Sequence, residues 1–107
     1  GAELIGAGTF DCSVNANFNN DVTLGNATSD DITFTGRAAS HLLPKADSTY
    51  DLGSADKRWA NIYTGDLHLR NDKGNWTIQE DSDKLIVINN LTGKKYKMML
   101  APLEDNE

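Results

Sequence analysis

The sequence predicts a mainly β chain: short repetitive N-terminal strands of the β-prism or triple-β-helix kind, a small module with one short helix, and a C-terminal antiparallel meander, completed as an intertwined homotrimer. Three observations carry this expectation. Phe10 to Phe18 alternates strictly between apolar and polar residues. Beyond Asp66 the chain is cut into short β-rich runs by regularly spaced turn sequences. Finally, only 38% of the 107 residues are hydrophobic and the mean hydropathy is -0.51. The apolar burial open to a compact monomer of this size would offset its ordering cost with almost nothing to spare, so a partner chain is expected. The expected divisions are a shaft-like segment over 1–40, a compact module over 41–66 and the meander over 67–107.

In the first segment Phe10, Cys12, Val14, Ala16 and Phe18 are apolar, with Asp11, Ser13, Asn15 and Asn17 between them. A period of two gives a strand with one wet and one dry face. The pattern continues as Asp21-Val22-Thr23-Leu24-Gly25 and recurs as Asp31-Ile32-Thr33-Phe34-Thr35-Gly36. Short strands punctuated by Gly and Asn suit a path that buries little until neighbours stack. An Asn-rich hairpin on an ordinary globular sheet is the alternative.

The second segment reads differently. Leu42-Leu43-Pro44 is an apolar anchor closed by proline, and Ala46-Asp47-Ser48-Thr49 reads as a turn. Ser54 is placed to cap a helix of at most two turns, with Asp56 near its positive end and Trp59 and Ile62 on one face. Tyr50, Leu52, Trp59, Ile62 and Tyr63 are expected to form the module core; Trp59 as a sugar-stacking platform is the alternative.

From Asp66 onward, Leu67 to Arg70, Asn75 to Glu80, Leu85 to Asn89 and Lys94 to Leu100 are expected strands. Their intervening turns make a four-stranded antiparallel meander. Trp76, Ile78, Leu85, Val87, Tyr96, Met98 and Leu100 fall on one face, and Ile86, Ile88 and Met99 on the other. A sheet apolar on both sides needs a cover, either the N-terminal strands or another subunit.

The residues that could carry chemistry are few. His41 and His68 stand alone in sequence; three copies of His68 could gather a metal on a trimer axis, but a solvent-facing His is the simpler reading. Cys12 lies on an apolar strand face and is expected to act as a small hydrophobe. Asp81-Ser82-Asp83 offers oxygens at alternate positions without the rest of a calcium loop. Asn26, Asn75 and Asn90 head glycosylation-type tripeptides, as expected by chance in a chain rich in Asn and Thr. No catalytic constellation is defined, so no enzyme, cofactor or metal site is expected. A net charge of -6 argues against nucleic acid as a partner. No apolar run reaches the length of a membrane span.

Leu43 to Gly65 is the most specific stretch. Its Tyr50-Asp51-Leu52-Gly53-Ser54 start, Lys57-Arg58-Trp59 centre and Asn61-Ile62-Tyr63-Thr64-Gly65 exit closely resemble a module of bacteriophage tail fibres and related virion proteins, as in marine phages. Leu24 to Gly36 is similar to short β repeats that precede that module. Gly74 to Lys97 looks like a terminal cap of the same proteins. The resemblance spans about residues 21–100 and implies a homotrimeric fibre segment that contacts the host surface and is extracellular when acting. Many relatives carry a self-cleaving chaperone domain; its Ser/Lys cleavage centre is not recognisable here, so no autoproteolysis is expected of this chain.

The expected function is structural: three copies share a core that none builds alone, with Phe10, Val14, Phe18, Val22, Leu24, Ile32 and Phe34 at the axis. The partners are the chain itself and a host cell-surface glycan or protein. The second reading is a monomeric carbohydrate-binding β-sandwich of a surface adhesin that stacks sugars on Trp59 or Trp76.

Overall fold

The computed structural model describes residues 8–105. The chain divides into two units, Gly1–His41 and Leu42–Glu107. The described residues contain no helix, and all the assigned strands lie in the second unit.

That unit holds one sheet in sequential order, β1 (Leu67–Arg70), β2 (Asn75–Glu80), β3 (Leu85–Asn89) and β4 (Lys95–Lys97), every neighbouring pair antiparallel. The meander thus forms as its turn chemistry dictates. At the first turn the Asn71 side-chain oxygen accepts from the amides of Lys73 and Gly74, and Asn71 N–H donates to Gly74 O at 3.0 Å. At the second, Asp81 N–H donates to Lys84 O at 2.8 Å. At the third, Gly93, at φ +77°, donates to Asn89 O at 2.7 Å, and Asn89 donates to Lys94 O. β4 is shorter than the expected Lys94 to Leu100, although Met98 N–H still reaches Leu85 O at 2.9 Å.

The register sorts the side chains. Leu67, Leu69, Trp76, Ile78, Leu85, Val87 and Tyr96 share one face, together with Glu80 and Asn89. His68, Arg70, Asn75, Thr77, Gln79, Ile86, Ile88, Lys95 and Lys97 share the other.

The expected helix after Ser54 is absent. Its cap bond does form, Ser54 Oγ accepting from Lys57 N–H at 3.0 Å. Ser54 N–H, however, donates back to Lys57 O at 2.9 Å, which turns that carbonyl away from the i+4 amide a helix would use. Gly53 sets the reversal at φ +88°. With so short a run of apolar positions, closing this loop outcompetes a costly helical nucleus.

In the first unit the alternating stretch has no ladder partner among the described residues, so no strand is assigned there. The two similar repeats also differ at their corners. Gly25 is left-handed at φ +84°, and Asp30 closes its turn by accepting from Asn26 N–H at 2.7 Å and Ala27 N–H at 3.0 Å. Gly36, which follows the additional Thr35, is not left-handed.

No apolar side chain is buried among the described residues; the one buried residue is Thr77, at 4% exposure.

Candidate functional site

The residues expected at a shared axis, Phe10, Val14, Phe18, Val22, Leu24, Ile32 and Phe34, are all exposed, from 52% for Val22 and Ile32 to 82% for Phe34. Together they are a row of large apolar side chains, each at least half open to water. The module residues Tyr50, Leu52, Trp59, Ile62 and Tyr63 are also exposed, so their cluster is open in the single chain. Trp59 leans on the Gly53 backbone: a Cβ there would lie 3.4 Å from Trp59 Cδ1 and 3.1 Å from Lys57 O. Leu52, Gly53, Arg58, Trp59, Asn61 and Ile62 line an open depression beside it.

On the sheet, Trp76 is half-buried and packs at its edges. Its ring centroid lies 6.1 Å from that of Tyr96, tilted by 41°, and its indole lies over Gly74. Lys94 Nζ stands 5.3 Å from the Tyr96 centroid, a cation over the ring face. Leu67, Leu69 and Tyr96 on this face remain 44–48% exposed.

The opposite face is built from polar contacts. Asn90 Nδ2 donates to both Thr77 Oγ1 (2.8 Å) and Asn75 Oδ1 (3.0 Å), and Thr77 Oγ1 lies 3.0 Å from His68 Nδ1. Thr77 Oγ1 thus accepts from Asn90 and bonds His68 Nδ1, with the direction of the second bond set by the imidazole tautomer. Every buried side-chain polar atom among the described residues has a partner. This network joins β1, β2 and the β3–β4 turn, and the sequence reading did not anticipate it. The signal that could have found it is register: Thr77 faces Ile88 and lies beside His68 in the middle of the sheet.

The remaining candidates are occupied by structural contacts or stand alone. His41 is exposed. Cys12 is exposed, with Sγ donating to Val14 O at 3.2 Å. In the Asp81–Lys84 turn, Lys84 Nζ lies 3.4 Å from Asp81 Oδ2 and 3.1 Å from Asp83 Oδ1. The hydrogen bond from Ser82 N–H, then Lys84, hold the Asp81 carboxyl below the ordinary aspartate range; Asp83, then Asp81, raise the Lys84 ammonium. A lysine already fills the place a cation would take there, and no group of three or more metal-ligating side chains exists among the described residues. No helix among them is long and apolar enough to cross a membrane. Against protein-family models, curated proteins and solved structures, the chain finds no match.

Proposed function

We propose that this chain is a structural segment of a bacteriophage tail fibre, a homotrimeric spacer or tip that presents a host-binding surface. One observation supports it above the others: among the described residues no apolar side chain is buried, while the apolar row between Phe10 and Phe34, and Leu67, Leu69 and Tyr96 on one sheet face, stand open. Three copies around an axis would remove these rows from water at roughly 1.5–3 kcal/mol for each large side chain fully covered, the stabilisation a single chain lacks. Repetition in three copies would also strengthen weak contacts with a cell surface. The resemblance of Leu43 to Gly65 to tail-fibre modules supports the same assignment.

Sedimentation of the pure chain tests the reading and should report about three times 11.7 kDa. A monomer that melts cooperatively overturns it. If that monomer also retained sugars on a glycan array through Trp59 or Trp76, the carbohydrate-binding reading would replace it.

A further inference from the structure

The two edges of the sheet are unlike. β4 is the shorter strand, and Lys94, Lys95 and Lys97 line it with ammonium groups, which oppose the addition of a further strand. β1, at the other edge, reads Leu67-His68-Leu69-Arg70, and all four residues are exposed. Its inner side pairs with β2, and among the described residues no backbone group bonds its outer side. Arg70 shares an open hollow with Asp47 and Asp72 but forms an ion pair with neither. The first unit, for its part, holds strand-patterned segments without a ladder. The order Asp, apolar, Ser or Thr, apolar recurs every ten residues, as Asp11-Cys12-Ser13-Val14, Asp21-Val22-Thr23-Leu24 and Asp31-Ile32-Thr33-Phe34. The third is the richest in strongly strand-forming residues. Asp30 before it is engaged at the Gly25 corner, whereas the Asp31 carboxylate makes no hydrogen bond or ion pair among the described residues.

From these two unmet ladders we infer that residues 31–34 of a second copy add to the free edge of β1 as an antiparallel strand, with Asp31 of one copy opposite Arg70 of the next. The inference rests on the trimeric reading above and adds which segment pairs with which edge, and in which direction. Directly opposite residues of an antiparallel pair lie on the same face. Phe34 then stands against Leu67 and Ile32 against Leu69 on the apolar face of the sheet. On the other face Thr33 stands against His68, and Asp31 against Arg70. Apolar residues meet apolar ones, and the one carboxylate of the segment meets the one guanidinium of β1. Parallel addition that keeps the same faces sets Asp31 beside Asp66 and Thr35 beside Arg70, so charge selects the antiparallel direction. Pairing between two β1 strands is a different solution: it is isologous, stops at two copies and leaves the segments of the first unit without a ladder. In the exchange, by contrast, each copy gives one strand and receives one, a head-to-tail contact that closes on three copies when the rotation is one third of a turn. Backbone hydrogen bonds supply the attraction, and the alternating side chains fix the register.

Cysteine trapping on the whole chain tests this. Ile32→Cys and Leu69→Cys, each in a Cys12→Ser background, are unfolded in urea, refolded as a mixture and oxidised with glutathione disulfide. Opposite residues of antiparallel strands lie ~4.5–5.5 Å apart at Cα, within the span of a disulfide. The expected result on a denaturing gel is a covalent dimer holding one chain of each variant, and a covalent species of three chains when one chain carries both substitutions. Leu69→Cys that keeps its native Cys12 reports capture of the first repeat, its mixture with Val22→Cys reports the second, and its mixture with Phe34→Cys reports parallel addition. A dominant product between chains in any of these three overturns the inference. In a protein that sediments as a trimer, a cross-link confined within single chains, or no product at all, also overturns it and leaves the trimeric reading standing. A protein that is not a trimer in sedimentation before oxidation is the distinct failure of that reading, and removes the exchange with it.

Discussion

Replacing Thr77 with valine removes one hydroxyl from the one buried residue among those described, while keeping its β-branched shape and its fit to the strand. Two contacts go with it: the 2.8 Å bond from Asn90 Nδ2 and the 3.0 Å bond shared with His68 Nδ1. Asn90 keeps its bond to Asn75, so one of its two N–H groups and the His68 nitrogen lose their partner. At a net ~1 kcal/mol per hydrogen bond, offset in part because the His68 side is within reach of water, Thr77→Val is expected to cost about 1–2 kcal/mol. The assay is urea unfolding followed by tryptophan fluorescence, at one fixed protein concentration, because assembly makes apparent stability concentration-dependent. A double-mutant cycle with Asn90→Ala isolates the shared bond. Its coupling should be roughly 0.5–1.5 kcal/mol, since the two substitutions remove the same contact. Additive effects, or a Thr77→Val protein as stable as the parent, would show that the network does not hold the meander and would refute the reasoning.

Three further outcomes follow from the turns. Gly53→Ala places a Cβ on a backbone at φ +88°, 3.1 Å from Lys57 O, and is expected to cost about 1–3 kcal/mol and to shift the Trp59 emission in a thermal melt; an unchanged melt counts against the Ser54–Lys57 loop. Asp30→Ala removes the acceptor of two backbone amides, so hydrogen exchange at Asn26 and Ala27 should accelerate while exchange in β2 and β3 stays unchanged; equal rates in both proteins would show that the Gly25 corner holds without it. Asp81 should titrate below the ordinary aspartate value in a carbon-detected NMR titration. Because its carboxyl is lowered in the folded chain, the contribution of its turn is complete above the ordinary value and is lost as pH falls through the lowered one. Lys84→Ala should move that midpoint back upward, and a midpoint indifferent to Lys84 would contradict the assigned cause.

The meander was legible because each of its signals is local. Three of its four strands begin and end where alternation and the flanking turns place them, and Asn71, Asp81 and Gly93 supply the bonds their turn chemistry calls for. The helix after Ser54 failed for an equally local reason that a propensity argument misses. A serine cap is compatible with either a helix or a closed loop, and the choice fell to the Lys57 carbonyl, which Gly53 lets turn back. The His68–Thr77–Asn90 network was illegible for the opposite reason, since it joins residues whose adjacency exists only once two strand registers are set.

The alternating row from Phe10 to Phe34 belongs to neither case. Its period of two specifies a dry face, and no ladder among the described residues answers it. In the proposed trimer the missing ladder and the missing core would be supplied by the same neighbours, which is why one pattern of alternation leaves both unmet in a single copy.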